Sequence, residues 1–138
     1  MKIYFAGSIR GGRLLVENYR QFISFLKKEH EIMSEHVASP AISKSGETKA
    51  LDFIYERDIA WLDDADVVVA DVTLPSLGVG FEIGYAQAHN TPIIALYYVN
   101  ADASMSAMIN GNSNITKIHY STVEDAEEQL TRALEKLK

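Results

Sequence analysis

The chain has 138 residues, of which 47% are apolar and 23% charged, and its formal net charge is −6 at pH 7. This length predicts one domain that buries about two thirds of its unfolded surface without a disulfide or a structural metal. The sequence contains no cysteine, which excludes thiolate chemistry. The acidic balance and the lack of a basic stripe argue against a nucleic-acid polymer as partner, whereas a small anion held by local backbone donors is compatible with both.

No apolar run in the sequence approaches the ~20 residues that a membrane span requires. The first residues, Met1-Lys-Ile-Tyr, indicate the start of a strand and lack the pattern of a signal peptide. We therefore expect a cytoplasmic protein that has no membrane partner.

The predicted elements alternate between strand and helix along the chain. Residues 38–49 are rich in Ser, Gly, Lys and Pro and predict one long loop, which is typical of a lid or a disordered segment. The alternation predicts a single doubly wound α/β domain over residues 1–138, flavodoxin-like or Rossmann-like, with a five-stranded parallel sheet in the order 2-1-3-4-5. The predicted strands cover 2–6, 31–34, 66–71, 92–99 and 116–120, and the predicted helices cover 13–29, 50–64, 81–90 and 123–137.

The predicted strand order brings together two turns that contain glycines. The turn over residues 7–12 follows strand 1 and the turn over residues 76–80 follows strand 3, so both lie at the carboxyl edge of the sheet, where such folds bind ligands. Small residues there let backbone N–H groups approach an anion closely. Arg10 lies in the first of these turns and is a candidate phosphate clamp, the alternative being a solvated surface arginine.

The stretch from Pro75 to Gly84 leads from a buried strand into a helix, and it carries a carboxylate, Glu82. We predict that this helix begins at Phe81, which places Glu82 in its first turn. The helix dipole favours negative charge there, so Glu82 should be ionised near neutral pH. An ionised carboxylate beside such a loop is either a nucleophile or a group that stabilises its own helix, and the sequence leaves both open.

Asp58 is an anomaly in the helix predicted over residues 50–64. It falls within an apolar stripe, and a carboxylate on a buried face costs several kcal/mol unless it is paired or protonated. Such a group often has a raised pKa, which suits a proton donor. The alternative is a structural ion pair with Arg57 or Arg10. The residues that define the stripe are Leu51, Ile54, Trp61 and Leu62.

Glu82 and Asp58 would form a carboxylate pair in two different environments, an arrangement that cleaves glycosidic bonds. Tyr4 would place its phenol in the same cleft if Phe5 faces the other side of the sheet, and core packing is the alternative for Tyr4. His36 lies just past strand 2, and a hydrogen bond to a ligand or to the loop is its expected role. No second histidine lies nearby in the sequence, so no metal site is expected.

Several segments of the chain carry a resemblance to a known family. They are Tyr4-Phe-Ala-Gly-Ser-Ile-Arg-Gly-Gly-Arg13, Glu35-His-Val-Ala38, Asp58 with Trp61-Leu62, Ala65-Asp-Val-Val-Val-Ala70, Val72-Thr, Pro75-Ser-Leu-Gly-Val-Gly-Phe-Glu-Ile-Gly84 and Ser106-Ala-Met-Ile109. In these segments, which run from residue 3 to about residue 110, the chain resembles the 2′-deoxynucleoside 5′-monophosphate N-glycosidases, which are relatives of the nucleoside 2-deoxyribosyltransferases. The spacing Gly78-x-Gly80-x-x-x-Gly84 departs from the dinucleotide-binding fingerprint, which disfavours a nicotinamide enzyme.

The resemblance implies a role for each candidate residue. Glu82 would attack the anomeric carbon and form a covalent sugar intermediate, Asp58 would assist departure of the base, and Tyr4 would lie near the nucleophile and the sugar. His36 would lie near the base. The residues that match a 5′-phosphate cradle are Ser8, Ile9, Arg10, Gly12, Ser76 and Gly78, with Ser106 reaching the phosphate from a neighbouring subunit.

These roles predict a hydrolase that releases the base from a small deoxynucleotide, acting as a homodimer with shared active sites. The chemistry requires no metal or organic cofactor, so none is expected. Two other functions stay open from the sequence: a deoxyribosyltransferase of the same mechanism, and a nucleotide-binding module without catalysis. The phosphate cradle favours the hydrolase, because a transferase acting on unphosphorylated nucleosides has no use for it.

Overall fold

The computed structural model describes residues 1–9, 14–43 and 45–138. Their strands form one parallel five-stranded sheet in the order β2-β1-β3-β4-β5. The strands are β1 (Lys2–Ala6), β2 (Glu31–Ile32), β3 (Val67–Asp71), β4 (Ile93–Tyr98) and β5 (Ile115–Tyr120). Both the predicted fold class and the predicted strand order are confirmed.

The helices are α1 (Val16–Leu26), α2 (Leu51–Asp64), α3 (Leu77–Ala88), α4 (Ala107–Asn110) and α5 (Val123–Glu135), and a short 3₁₀ helix covers Glu35–Ala38. Helices α1 and α5 pack on one face of the sheet, and α2 and α3 pack on the other. Within the described part of the chain, none of the helices combines the length and the apolar character that crossing a membrane demands.

The alternation of side chains along β1 separates the two faces as the sequence predicts. Phe5 packs with Tyr19 and Phe22 of α1, whereas Tyr4 lies on the opposite face with Leu62 of α2. Strand β3 is buried along its whole length, which explains its run of β-branched residues, since a central parallel strand has no solvent face. The register of β1 against β3 brings the ends of both strands to the same edge of the sheet.

Helix α3 begins four residues earlier than predicted, at Leu77. Ser76 caps it, because its hydroxyl accepts a hydrogen bond from the Val79 N–H at 3.4 Å. Gly78 therefore lies inside the helix, and Glu82 is the sixth helical residue. The predicted placement of Glu82 in the first turn was wrong, because the serine cap begins the helix before the glycines.

The predicted apolar stripe of α2 is only partly buried. Leu62 is 3% exposed and packs in the core, whereas Leu51 is 69% exposed. Ile54 and Trp61 are half-buried. The expectation of a fully buried face was wrong because α2 lies over a cleft, and hydrophobic periodicity does not distinguish a core-facing residue from one that lines a cleft.

A buried hydrogen-bond network fixes the turn between β3 and α3. Asp71, at the end of β3, is fully buried and accepts hydrogen bonds at 3.0 Å from the Thr73 N–H and from the Tyr120 hydroxyl. Asn18 of α1 donates to the same hydroxyl at 3.3 Å. Burial raises the pKa of Asp71 to about 6, and the hydrogen bonds from Thr73 and Tyr120 oppose this rise. The network thus ties β3, β5 and α1 together beneath the turn.

Substituting Tyr120→Phe should lower the free energy of unfolding by about 1–3 kcal/mol, because the buried Asp71 loses a donor. The loss should be larger at pH 8 than at pH 5, since Asp71 is largely neutral below its pKa of about 6 and then depends less on donors. Urea unfolding at the two pH values measures both effects. Tyr98→Phe is the matched control, since the Tyr98 ring packs against that of Tyr120 at 5.4 Å. A loss that is equal at both pH values would contradict the role of Asp71.

Candidate active site

A cleft of about 640 Å³ opens at the carboxyl edge of β1 and β3. Its size is that of a pocket for a small molecule. One wall comes from the end of β1 and the start of α3, and the other comes from α2 and the segment before it. The residues that line the cleft are Gly7, Ile9, Gly46, Glu47, Leu51, Ile54, Tyr55, Asp58, Pro75, Ser76, Leu77, Gly78, Val79 and Glu82.

Glu82 is hydrogen-bonded to Tyr4 in this cleft. The Tyr4 hydroxyl donates to Oε1 of Glu82 at 2.8 Å, and Tyr4 itself is 2% exposed. Burial raises the pKa of Glu82 to about 7, the charge of Asp58 adds to the rise, and the hydrogen bond from Tyr4 opposes it. The expectation that the helix dipole keeps Glu82 ionised was wrong, because the dipole acts over the first turn and Glu82 lies beyond it in a desolvated position. Near pH 7 both of its protonation states are populated.

Asp58 approaches the same cleft from α2, with its side chain 20% exposed. Burial raises the pKa of Asp58, which confirms the predicted direction, and the neighbouring Arg57 opposes the rise. Arg57 Nε donates to Oδ1 of Asp58 at 2.8 Å, so the ion pair considered as an alternative is also present. The two carboxyl groups therefore differ in their partners: Glu82 has a neutral phenol and Asp58 has a guanidinium.

The structure brings together the two turns predicted to hold a phosphate. Gly7 and Ile9 line the cleft from the β1 side, and Ser76 and Gly78 line it from the α3 side. Ser8 is fully buried beneath this wall, where its N–H donates to the Tyr19 hydroxyl at 3.3 Å. The predictions for Arg10 and Gly12 lie outside the described residues.

Two positions at this edge are glycines for different structural reasons. A Cβ at Gly7 would come within 2.8 Å of the Tyr19 ring, so close packing requires a glycine there. A Cβ at Gly78 would meet only the Ser76 hydroxyl oxygen, at 3.9 Å, and would otherwise enter the open cleft. Gly78 thus keeps free the space in front of the N-terminus of α3, where the first N–H groups of a helix favour an anion.

His36 contacts the segment that precedes α2. Its Nε2 lies 3.2 Å from Nη2 of Arg57 and 3.3 Å from Oε2 of Glu47, and its ring centroid lies 5.6 Å from that of Trp61. Burial lowers the pKa of His36, and the charge of Arg57 lowers it further. The contact with Glu47 is the kind of loop contact expected for His36.

Sequence reasoning missed Glu47 altogether and considered Arg57 only as a structural partner. Glu47 belongs to the predicted loop, yet its side chain is 11% exposed and forms a two-pronged ion pair with Arg57. A single acidic residue in a polar loop has no periodicity, so nothing in the sequence pattern marks it.

Among the residues that the structure describes, no cluster of three or more histidine or acidic side chains is arranged to hold a metal.

Ser106 lies outside the carboxylate cleft of its own chain. It caps α4, since its hydroxyl accepts from the Met108 N–H at 3.2 Å. It lines a neighbouring groove of about 590 Å³. The groove and the carboxylate cleft share Pro75, Ser76, Leu77 and Val79. The structure thus places Ser106 near Ser76 but separate from Glu82 and Asp58.

A doubly wound domain with a carboxylate pair and a helix N-terminus at the switch point of its sheet has the arrangement of an α/β enzyme that binds an anionic ligand. Comparison with known proteins identifies the family. The chain belongs to the nucleoside 2-deoxyribosyltransferase family, whose model matches residues 3–131.

Several relatives of this chain are named as N-hydrolases. A Syntrophotalea carbinolica protein named "Putative 2'-deoxynucleoside 5'-phosphate N-hydrolase 1" is 47% identical over 125 residues, which cover 91% of this chain and 88% of that protein. The 5-hydroxymethyl-dUMP N-hydrolases of Mus musculus and Homo sapiens are 42% and 41% identical, covering 96% and 91% of this chain and 76% and 73% of their own lengths. The resemblance found in the sequence and the enzyme class that it implied, an N-glycosidase, are thereby confirmed.

Solved structures show the same fold. The CMP N-glycosidase of Clostridium botulinum superposes with a TM-score of 0.70 at 19% identity, covering 96% of this chain and 99% of that one. A conserved protein from Enterococcus faecalis V583 gives a TM-score of 0.57 at 24% identity over 96% and 98% of the two chains.

The raised pKa of Glu82 predicts that this carboxyl group weakens the fold at high pH. The pKa of Glu82 is raised from 4.5 to about 7 in the folded state, so the free energy of unfolding of the protein falls as the pH rises through that interval. The loss is complete above it. Glu82→Gln should therefore raise the free energy of unfolding by about 1–2 kcal/mol at pH 8 and by much less at pH 5. Thermal unfolding at both pH values measures this, with the exposed Glu128→Gln as control. A variant no more stable than the wild type at pH 8 would show that burial of Glu82 has no such cost.

Proposed function

We propose that this enzyme hydrolyses the N-glycosidic bond of 2′-deoxynucleoside 5′-monophosphates, giving the free base and 2-deoxyribose 5-phosphate. The observation that carries the proposal is the hydrogen bond from Tyr4 to Glu82 in a cleft that also holds Asp58 and the N-terminus of α3. The names of the relatives, which are N-hydrolases of deoxynucleotides, support this choice of substrate.

In the first step, ionised Glu82 attacks C1′ of the sugar as the bond from C1′ to the base nitrogen breaks. The transition state resembles an oxocarbenium ion, which a nearby carboxylate stabilises electrostatically and then captures as an ester. The proton of Asp58 goes to the departing base. In the second step, a water attacks C1′, its proton passes to Asp58, and Glu82 is released as a carboxylate, so the cycle closes without any cofactor.

This mechanism requires the carboxyl pair to hold a single proton. Burial raises the pKa of both groups, and the charge of Asp58 raises that of Glu82 further, so ionisation of one carboxyl group opposes ionisation of the other. Tyr4 stabilises the charged form of Glu82 through its hydrogen bond, and Arg57 stabilises the charged form of Asp58. We assign the nucleophile to Glu82, because the Tyr4 hydroxyl stabilises its charged form by a hydrogen bond, and the acid to Asp58.

The 5′-phosphate supplies binding energy that positions the sugar over Glu82. Ile9, Ser76 and Gly78 line the cleft beside the N-terminus of α3, which supports a phosphate site there. The family resemblance adds Ser8, Arg10 and Gly12 to the proposed cradle. His36 would lie toward the base. A cradle of this kind favours a nucleotide over an unphosphorylated nucleoside, and therefore the hydrolase over the deoxyribosyltransferase that shares its mechanism.

The direct test is incubation of the protein with a panel of deoxynucleoside and ribonucleoside monophosphates, with chromatographic detection of the free base. Glu82→Gln should abolish turnover while nucleotide affinity changes little, because the amide keeps the shape and removes the nucleophile. A variant retaining more than about a tenth of the wild-type rate, a barrier change below ~1.4 kcal/mol, would rule out the nucleophile assignment. Glu128→Gln serves as the control. If the wild-type protein binds nucleotides but cleaves none of the panel, the non-catalytic binding module would be favoured.

Asp58→Asn should slow the reaction most with bases that are poor leaving groups. A general acid matters only when the departing group must be protonated, so a nucleotide whose leaving group needs no proton should restore the rate. Initial rates over a series of leaving groups measure this dependence. Equal damage across the series would assign Asp58 to positioning instead.

We also propose that the enzyme is a homodimer with shared active sites. The groove that contains Ser106 is bordered by exposed apolar side chains: Leu77 is 97% exposed, Met108 81% and Phe81 56%. An apolar surface of this kind is typical of a protein contact. In a two-fold dimer through this face, Ser106 of each subunit would approach the phosphate end of the other's cleft.

The dimer proposal predicts that two inactive variants complement each other. Mixing Glu82→Gln subunits with Ser106→Trp subunits gives heterodimers in which both lesions fall in one site and the other site is intact. Activity should reappear after subunit exchange, and mass measurement verifies that heterodimers have formed. Heterodimers without activity would assign Ser106 to the fold of its own subunit.

A further inference from the structure

Arg57 makes a contact that its position in the helix does not favour. It precedes Asp58 directly in α2, and neighbouring residues of a helix point about 100° apart and do not normally face each other. Nevertheless, Arg57 Nε lies 2.8 Å from Oδ1 of Asp58, and the Arg57 side chain is only 12% exposed. Other groups must therefore hold the guanidinium against Asp58.

Two kinds of contact hold it. Phe53 and Trp61 lie one turn before and one turn after Arg57, and their ring centroids are 5.9 Å and 4.7 Å from the guanidinium carbon. Glu47 accepts two parallel hydrogen bonds, from Nη1 and Nη2, both at 2.7 Å. A planar guanidinium in such a fork has a fixed orientation, which a lysine ammonium could not reproduce.

We propose that Arg57 is a positioning residue for Asp58: it fixes the carboxyl group at its place in the cleft and stabilises its charged form. This inference rests on the proposed function, in which Asp58 gives a proton to the base and takes one back from water. A group that performs both tasks in each turnover must release its proton readily. Arg57 provides for this, because its positive charge offsets the burial of Asp58.

The charged and titratable groups around Asp58 come from five elements. Arg57 of α2 favours the carboxylate, and His36 of the 3₁₀ helix acts in the same direction, whereas Glu47 of the preceding segment acts against it. Glu82 of α3 lines the same cleft as Asp58, Tyr4 of β1 is hydrogen-bonded to Glu82, and the charge of Asp58 raises the pKa of both. Of these groups, Arg57 alone donates a hydrogen bond to Asp58 within the described residues.

The first measurement is the pH profile of kcat/KM with a deoxynucleotide that the wild type cleaves. The reactive form of the Asp58–Glu82 pair holds one proton, so the fall of the rate at high pH marks the loss of that proton from the pair. Arg57→Met should shift this fall upward by about one pH unit or more, because the opposing charge is lost. Arg57→Lys keeps the charge without the fork, so its profile should stay closer to that of the wild type. Arg20→Met, which changes an exposed arginine of α1, should change nothing.

The second measurement is a double-mutant cycle. At the pH optimum, Arg57→Met should lower kcat/KM about tenfold or more, since a displaced catalytic group loses much of its effect. If Arg57 acts through Asp58, the same change should cost less than about threefold in the Asp58→Asn background. Two independent substitutions would instead cost the same in both backgrounds to within ~0.5 kcal/mol. Circular dichroism checks folding, and where Arg57→Met does not fold, Arg57→Lys takes its place in the cycle.

A fall at high pH that stays in place or moves to lower pH would overturn the inference, as would equal losses in the two backgrounds. Those results leave the hydrolase itself intact. An Asp58→Asn variant with wild-type activity would reject the acid role of Asp58, and with it both this inference and that part of the proposed function.

Discussion

The candidate active site depends on one interaction, the hydrogen bond from the buried Tyr4 hydroxyl to the half-buried carboxyl group of Glu82. Tyr4 is placed by the alternation of β1, and Glu82 reaches it because the cap at Ser76 begins α3 four residues before the position that the glycines suggest. A shift of either element by one residue would turn its side chain away. The strand register and the helix start are therefore as much a part of the site as the carboxyl group itself.

Ser76 connects the fold to the site. Its hydroxyl caps α3, and the same residue lines both the carboxylate cleft and the groove that contains Ser106. The segment it belongs to follows directly from the turn that Asp71 and Tyr120 fix beneath the surface. The position of a bound anion would thus be set by buried contacts of the sheet rather than by a freely moving loop.

The sequence predicted the layers of the protein better than the contacts of its cleft. The strand order follows from the alternation of strands and helices along the chain. The opposite directions of Tyr4 and Phe5 follow from the alternation of side chains along a strand, which the backbone sets. The exposure of Leu51 and the protonation of Glu82 depend on how α2 and α3 face each other across open space, which periodicity does not encode. The ion pair of Glu47 and Arg57 joins a loop to a helix through side chains alone, so no local sequence pattern predicts it.

The hydrogen bonds that link Asp71, Tyr120 and Asn18 also have a consequence for folding. They join residues 49 and 102 positions apart in the chain, from Asp71 to Tyr120 and from Asn18 to Tyr120. Contacts of such long range form late, because the entropy of closing the intervening chain must be overcome first. During synthesis, the turn in front of α3 is without its support until β5 has left the ribosome. A nascent chain thus carries Tyr4, Asp58 and Glu82 well before it can hold them in the arrangement seen in the folded protein.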